Sequence, residues 1–565
     1  MKSFLKLSNI FLVLLFVFAF LLMIGSARSN SATTDEAVHL FAGYTYLAER
    51  DFRLDPEHPP ILKELAAAPL LAMRNLISPV DGLWDKAANF YYDSWKEARL
   101  LADSFFFTLG NNASIFLFLG RLPFIFLTLG LGLAVYYWAN KLYGKKVGIF
   151  AAFLILLMPN ILAHGPLINT DLGLTLFIFI SVYFWGEYLK KPTLKSFILA
   201  GIFCGLAFAS KYTSVLIVPI FIILGMIKIF IDKNSKYWIK YLLGLFGIGI
   251  ITFIIVWFSY GFSIATPPQP IGTLSENIKM WANWDIPTLF DGVFAKVRPV
   301  LFPADYYKGL ILVTRHALGG HGSFLLGKTS NTGWWYYFPV AIFVKTPIPF
   351  FIFLALAIGI FGKIKAKLLF DELLLIIAPI IFLVFSMYSK ADLGVRHVLP
   401  IFPFLAVYAA KSIKLVKFSE IKIVNYDLKK LMSALVFLLL ILWYLLSLVL
   451  NYPNYLAYFN EAAGGAKGGY KILTDSNLDW GQDILRIRAY INKHNIQDPY
   501  VVYPWDSEDA LRYYGINSTL LKPEDQEIKG DVIISATYLQ SGAYDWLKKY
   551  PNEQITPGVF YFRID

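Results

Sequence analysis

The sequence predicts a polytopic α-helical membrane protein with a small α/β domain at its C-terminal end. Of the 565 residues, 57% are hydrophobic and only 16% are charged, whereas a soluble domain carries roughly 25% charged residues. Apolar runs long enough to cross a bilayer recur along most of the chain. Residues 453–565 differ, because they are polar and are broken by ordinary turn signals. We therefore expect a membrane domain over residues 1–452 and a separate domain over residues 453–565.

The apolar runs predict about 11 transmembrane helices. The first run follows MKSFLKLSN. It is either a signal peptide or a retained helix, and retention is the favoured interpretation. The predicted spans are Ile10–Ile24, Ile115–Trp138, Val147–Leu162, Leu172–Leu189, Ser196–Ser210, Tyr212–Met226, Tyr241–Phe262, Tyr336–Phe361, Leu368–Met387, Val398–Ala410 and Leu431–Leu450.

Lysine-rich loops between these spans predict the orientation of the chain. Under this count, the loops around residues 141–146, 190–195, 228–240, 363–367 and 411–430 all fall on one side. Positively charged loops stay in the cytoplasm. We therefore expect a cell (plasma) membrane protein with a cytoplasmic N-terminus, an extracytoplasmic C-terminal domain, and outer loops at about 29–112 and 263–335. The same distribution argues against nucleic acid as the reason for the net charge of +12.

The C-terminal domain shows strand and helix patterns of a small α/β fold. YVVYP, DVIISA and GVFYFRI are rich in β-branched and aromatic residues and predict short strands. The segments around Gly481–Lys493, Ser507–Tyr514 and Ala543–Lys549 predict helices. The single cysteine, Cys204, lies inside an apolar span, so we interpret it as a packing residue.

A polar stretch over residues 31–72 follows the first apolar run and carries the first candidate site residues. A Thr-Thr pair precedes Asp35 and Glu36 and is placed to cap a helix that begins there. The helix dipole favours the ionised form of Asp35, and such a carboxylate suits a general base for an incoming hydroxyl group. His39 lies one turn further along the same face. The alternative is that the two acids only cap a surface helix.

Two further polar clusters fall on the same predicted side of the membrane. The first lies at the tip of a helical hairpin and comprises His164, Asn169 and Asp171, for which helix capping is again the alternative. The second is mostly cationic and suits a lipid phosphate. It comprises Arg315, His316, His321, Lys345, Lys390, Arg396 and His397. Lys345 lies inside an apolar span, where the alternative is that it extends to the membrane interface.

Five motifs in this order resemble glycosyltransferase family 39. They are TTDEAVHLFAGYTYL…RLDPEHPPILKELAAAPLL, AHGPLINTDLG, GKTSNTGWWYYFPVAIFVKTPIP, RHVLPIFPF and NYPNYLAYFNEAAGG…DSNLDWGQD. More closely, the chain resembles the phospholipid carrier-dependent glycosyltransferases, relatives of the protein O-mannosyltransferases and of the lipid A aminoarabinose transferase. The resemblance covers about residues 33–483.

The resemblance implies a GT-C fold and an enzyme that transfers a sugar from a polyprenyl-phosphate or polyprenyl-diphosphate carrier to an acceptor hydroxyl with inversion. It implies a mannosyltransferase-like hexosyl- or pentosyltransferase that acts on a protein, lipid or glycan. By this resemblance Asp35 is the catalytic carboxylate and Asp171 the supporting acid. We expect the donor phosphate to be contacted by Glu57, His58, Lys345, Arg396 and His397, with support from Glu36, His164 and His321. EHPP has His58 where relatives with EKPP have a lysine.

Some questions stay open at this stage. A divalent cation is possible, with Glu57 and His316 or His321 as ligands. The acidic motif DSNLDWGQD is either a sugar- or cation-binding loop or a helix cap that docks the C-terminal domain. A transporter or flippase is the main alternative function, but it would place charges midway along the spans. A non-catalytic membrane scaffold is the other.

Overall fold

The computed structural model describes residues 2–78, 94–232, 237–263, 275–276, 279, 291–292, 302–362, 364, 366–416, 428–504 and 508–565. Parts of the predicted second outer loop and of the lysine-rich loops at 228–240, 363–367 and 411–430 lie outside the described residues.

The described chain is mostly helical. Its helices are α1 Lys2–Ser29, α2 Thr34–Ala48, α3 Ile61–Ala67, α4 Ser94–Asp103, α5 Ala113–Tyr143, α6 Lys145–Leu156, α7 Pro159–His164, α8 Thr170–Lys190, α9 Leu194–Phe208, α10 Ile217–Asp232, α11 Trp238–Ser259, α12 Ala304–Gly319, α13 Tyr337–Lys345, α14 Ile348–Gly359, α15 Leu369–Ser386, α16 Phe402–Ala409, α17 Leu428–Val449, α18 Gly465–Gly468, α19 Ile484–His494, α20 Glu508–Tyr513 and α21 Ala536–Leu539. Short 3-10 turns extend several of them, notably Ala68–Ala72, Tyr212–Leu216, Val395–Ile401 and Ala410–Leu415, and a separate 3-10 turn spans Asp545–Lys549.

Among the described residues, eight helical segments are long and apolar enough to cross a membrane. The other three predicted spans are present in different forms. One is the shorter helix α9, and one is the pair α6 and α7, broken between residues 156 and 159. The third is the pair α13 and α14, which bends by 105°. Pro347 and Pro349 lie at this bend and cannot donate the hydrogen bonds that would continue the helix. The predicted polytopic helical fold is confirmed.

The C-terminal region contains a five-stranded mixed sheet, as part of the predicted α/β domain. Its strands are β3 Tyr500–Val502, β4 Thr519–Leu520, β5 Gly530–Ser535, β6 Asn552–Thr556 and β7 Val559–Ile564. They lie in the order β4-β3-β5-β7-β6, with β3 parallel to β4 and β5 and with β7 antiparallel to β5 and β6. β4 and β6 were not predicted, and neither was the hairpin of β1 Ser323–Leu325 and β2 Lys328–Ser330.

The first outer loop folds against the ends of the membrane helices. α2 and α3 lie close together because Gly43 has no side chain where the backbone of Lys63 approaches it. Asp55, in the connection between these helices, accepts from Lys63 Nζ at 3.2 Å and contacts His39 Nδ1 at 2.8 Å. Burial alone would raise the pKa of Asp55, but the charges of Lys63 and His39 outweigh it and lower that pKa. This buried cluster fixes the loop that carries His58.

Candidate active site

A cavity of about 520 Å³ lies where the first outer loop, the ends of several membrane helices and the segment 475–538 meet. It brings together six of the ten predicted site residues: Asp35, Glu57, His58, His321, Arg396 and His397. It adds residues that we did not predict as site residues, among them Arg99, Lys211, Thr537 and Tyr538. Acids and cations from distant parts of the sequence therefore line one space.

Asp35 lies in the first turn of α2 and reaches the centre of the site. Its Oδ2 lies 3.3 Å from Nη1 of Arg396, and the side chain is 14% exposed. The carboxylate is therefore accessible from the cavity and next to a cation. Asp35 therefore occupies a helix N-terminus, where negative charge is favoured, and also contacts Arg396 in the cavity wall.

Arg396 connects the two predicted catalytic carboxylates. Its Nη1 lies 3.3 Å from Asp35 and 3.6 Å from Asp171, and its Nε donates to Ser476 Oγ at 3.2 Å. Its guanidinium carbon lies 4.1 Å from the centroid of the Trp480 ring. The guanidinium therefore lies between two carboxylates and also lines the cavity, where a phosphate can reach it.

Asp171 lies behind this pair at the beginning of α8. Asn169 caps the helix by accepting from the Asp171 N–H at 3.0 Å. The Asp171 carboxylate binds Lys211 Nζ at 2.5 Å and is 2% exposed. Sequence reasoning missed Lys211, which lies between two predicted spans. A lysine at that position in an apolar hairpin was the available signal.

Glu36 does not line the cavity. It is fully buried and accepts from Arg121 Nε at 2.8 Å, Arg121 Nη2 at 2.6 Å, the Ile168 N–H at 3.0 Å and the Thr33 N–H at 2.9 Å. Burial alone would raise its pKa, but the charge of Arg121 outweighs it and lowers that pKa. Glu36 therefore joins α2 to α5 and to the loop before α8, and it supports the site by holding Asp35 in place.

The surroundings of Lys345 do not match the predicted contact with the donor phosphate. Its side chain is buried, and Nζ donates to the carbonyl oxygens of Leu456 at 2.8 Å and Asn477 at 2.5 Å. The ring of Phe459 lies 4.4 Å away. Backbone carbonyls from the later chain therefore satisfy this buried ammonium group within the apolar segment. Lys345 neither faces the cavity nor extends to the membrane interface.

His164 likewise lies outside the cavity lining and is 1% exposed. Its backbone carbonyl accepts from Asn169 at 3.0 Å, and its ring lies 6.3 Å from that of Trp480. It therefore packs beneath the site rather than lining it.

His58 and His397 are two imidazoles of the cavity wall. The described residues offer no hydrogen-bond partner to Nδ1 of His58 or to Nε2 of His397. Burial lowers the pKa of His58 well below its usual value; Asp55 opposes this, and the charge of His39 adds to it. His58 is therefore neutral near pH 7 and offers a hydrogen bond rather than the full charge of a lysine.

Glu57 and the two histidines at the mouth of the cavity are the residues predicted as ligands of a divalent cation. Glu57 lies 3.7 Å from His316 Nδ1, and the rings of His316 and His321 are 5.4 Å apart. Among the described residues, no group of three His, Cys, Asp or Glu side chains is placed to hold a cation.

The motif DSNLDWGQD forms one wall of the cavity and also docks the later chain on α2. Asp475, Asp479 and Trp480 line the cavity. The Trp480 carbonyl accepts from the Thr34 N–H at 2.9 Å, and the Gln482 carbonyl accepts from the Ser31 N–H at 3.1 Å. Docking, one of the two interpretations of this motif, is therefore observed, whereas sugar or cation binding by the motif stays a prediction.

One family model matches part of the chain. The family model described as dolichyl-phosphate-mannose-protein mannosyltransferase matches residues 104–257. This confirms the predicted relationship to family 39. The matched segment runs from the end of the first outer loop through α5, α8 and α11, and so contains Arg121, Asp171 and Lys211. No curated protein matched the chain.

Solved structures of three membrane glycosyltransferases are similar to the chain. ArnT from Cupriavidus metallidurans bound to undecaprenyl phosphate is 11% identical, with a TM-score of 0.47, and 97% of each chain is covered. The oligosaccharyltransferase AglB from Archaeoglobus fulgidus with an inhibitory peptide and a dolichol-phosphate is 13% identical, with a TM-score of 0.45, and covers 96% of this chain and 72% of that one. The S. cerevisiae Pmt1-Pmt2 complex with its sugar donor is 18% identical, with a TM-score of 0.35, and covers 50% of this chain and 37% of that one.

Proposed function

We propose that the protein is a membrane glycosyltransferase that transfers a sugar from a polyprenyl-phosphate carrier to an acceptor hydroxyl, with Asp35 as the general base. The family match supports this class of reaction. The observation that carries the residue assignment is the contact between Asp35 and Arg396 inside a cavity of about 520 Å³. A base and a phosphate-binding cation side by side are what this reaction needs.

The bond changes balance in one displacement. The acceptor oxygen attacks C1 of the sugar while the bond between C1 and the phosphate oxygen breaks, so polyprenyl phosphate leaves with the electron pair. Asp35 takes the acceptor proton, and Arg396 stabilises the negative charge that grows on the leaving phosphate. Attack opposite the leaving group gives inversion. His58 and His397 add neutral hydrogen-bonding groups at the same wall.

Asp171 and Lys211 set the position of Arg396 in this scheme. Asp171 is bound to Lys211 at 2.5 Å and lies 3.6 Å from Arg396, so it holds the guanidinium from behind.

The orientation belongs to the same proposal. We propose a cytoplasmic N-terminus and a cavity on the extracytoplasmic side of the plasma membrane, and the lysine-rich loops support this orientation. The acceptor is a protein, lipid or glycan hydroxyl that reaches the cavity from that side.

A donor panel tests the proposal. Purified protein in detergent is mixed with radiolabelled polyprenyl-phosphate sugars and with a membrane extract as the source of acceptor. We expect release of free polyprenyl phosphate together with labelled product. A failure to release carrier from every donor, with a fold confirmed by thermal unfolding, would refute the proposed function.

A further inference from the structure

The part of the cavity wall that comes from the later chain has a chemistry of its own. Asp475 and Asp479 line the cavity together with Thr537 and Tyr538, all from the later part of the chain. Lys211, Arg396 and the imidazoles line it from the membrane domain. The phosphate belongs at the cationic wall, so the acidic wall remains for another part of the substrate.

The covalent structure of the donor determines which part that is. The sugar is bonded directly to the phosphate, so a phosphate on Arg396 leaves the sugar ring within reach of whatever surrounds this arginine. Arg396 Nε binds Ser476 at 3.2 Å, and the guanidinium lies 4.1 Å from the centroid of the Trp480 ring. Asp475 and Asp479 are the immediate chain neighbours of these two residues.

We propose that Asp475 and Asp479 form the sugar-binding wall of the cavity and hydrogen-bond hydroxyl groups of the donor's sugar. This inference rests on the proposed function and names the residues that select its sugar. The expected ligand is a polyhydroxylated pyranose or furanose linked to phosphate, recognised through hydroxyl donors and acceptors rather than through charge.

One carboxylate oxygen of Asp479 is buried without a hydrogen-bond partner. It is 2% exposed, and its Oδ1 accepts from the Tyr503 hydroxyl at 2.9 Å and from the Gly481 N–H at 3.2 Å. Its Oδ2 has no hydrogen-bond partner among the described residues. Buried polar atoms are nearly always hydrogen-bonded, and a sugar hydroxyl in the cavity would supply this bond.

The protonation of Asp479 fits a hydroxyl ligand. Burial, and then the charge of Asp483, raise its pKa to about 7. Near neutral pH its carboxyl group therefore exists in both forms and either accepts a hydrogen bond from a hydroxyl or donates one to it. A cation site would instead need carboxylates that stay ionised.

The wall is rigid enough to discriminate between sugars. Asn477, between the two acids, accepts from Lys345 Nζ at 2.5 Å through its carbonyl and from the Val395 N–H at 2.9 Å through its side chain. The Asp475 N–H donates to Thr537 Oγ1 at 3.0 Å. Both acids are thus held before the donor binds, and pre-organised groups give the largest selectivity.

The test separates the sugar from its carrier. Dissociation constants are measured for undecaprenyl phosphate and for the undecaprenyl-phosphate sugar that the wild-type protein turns over, using wild type, Asp475→Asn, Asp479→Asn and the exposed control Asp545→Asn. We expect both variants to bind bare carrier like wild type and to bind the sugar-linked donor roughly ten- to a hundredfold more weakly. The control should match wild type with both ligands, and thermal unfolding verifies the fold of each variant.

A second arm uses donors that lack single hydroxyl groups. Wild type should reject the deoxy donor whose missing hydroxyl faces the acids, and the variants should accept it and the parent donor equally. The inference is overturned if both variants keep the wild-type preference for the sugar-linked donor over bare carrier. If wild type neither binds bare carrier nor releases it from any donor, the proposed function fails, and this inference fails with it.

Discussion

Replacing Glu36 with glutamine should destabilise the protein, even though its neighbour Asp35 is the predicted base. Glu36 is fully buried and accepts four hydrogen bonds, two of them from Arg121. Glutamine keeps the shape but removes the negative charge, and it places an amide NH₂ where donors already point. The Arg121 guanidinium is then left buried without its counter-charge.

The size of this effect follows from burial. Removing one partner of a buried ion pair lowers the free energy of unfolding by about 3–5 kcal/mol. Arg121 keeps bonds from its guanidinium to the carbonyls of Ala27, Asn30 and Ser31, so we expect a loss near the lower end of that range. Because α2 also loses its tie to α5, turnover should fall together with stability.

The assay is denaturant unfolding of purified protein in mixed micelles, followed by tryptophan fluorescence. Glu461→Gln is the matched control, because Glu461 is exposed and accepts one hydrogen bond, from Trp443 Nε1 at 2.8 Å. The control should unfold within about 0.5 kcal/mol of wild type. A Glu36→Gln variant that is equally stable would refute the structural role given to this carboxylate.

Two further predictions concern Lys345 and the mouth of the cavity. Lys345→Met leaves the carbonyls of Leu456 and Asn477 without a donor, so we expect the free energy of unfolding to fall by about 1–3 kcal/mol per group in the same assay. Affinity for bare polyprenyl phosphate should be unchanged. A large loss of carrier affinity in a stable variant would show that Lys345 does bind the phosphate. The Glu57 carboxylate, 3.7 Å from His316 Nδ1, raises the pKa of His316. This contact therefore stabilises the fold below the unfolded pKa near 6.5, and the stabilisation is lost as pH rises through the raised folded pKa. The rate of amide hydrogen exchange over residues 304–319, corrected for intrinsic rates, should therefore increase between about pH 6 and 8. Glu57→Gln should remove that increase. A pH-independent rate in the wild-type protein would contradict this prediction.

Much of the fold could be predicted because long apolar runs and lysine-rich loops are local signals. Eight of the eleven predicted spans correspond to long apolar helical segments in the described residues, or nine if the bent pair is counted as one span. The sharp bend near Pro347 was not predicted, although its prolines are visible in the sequence. β4 and β6 were missed because two- and five-residue strands without strong alternation resemble loops.

The site was harder to predict because pairing is a tertiary property. Asp35 and Arg396 were each identified from motifs, but their 3.3 Å contact joins residues far apart in the chain. Lys345 was assigned to phosphate because the sequence cannot show that two carbonyls meet its ammonium group. Arg121 and Lys211 went unnoticed, although a charge next to or within an apolar run has to find a partner.

The most direct test of the account is a comparison of binding and turnover in Asp35→Asn. Undecaprenyl-phosphate sugar is supplied at saturating concentration, and the rate of carrier release and the dissociation constant of the donor are measured for both proteins. The account predicts that release falls at least a hundredfold, while donor affinity and thermal unfolding stay close to wild type. Release at the wild-type rate by a folded Asp35→Asn protein would contradict the assignment of Asp35 as the base.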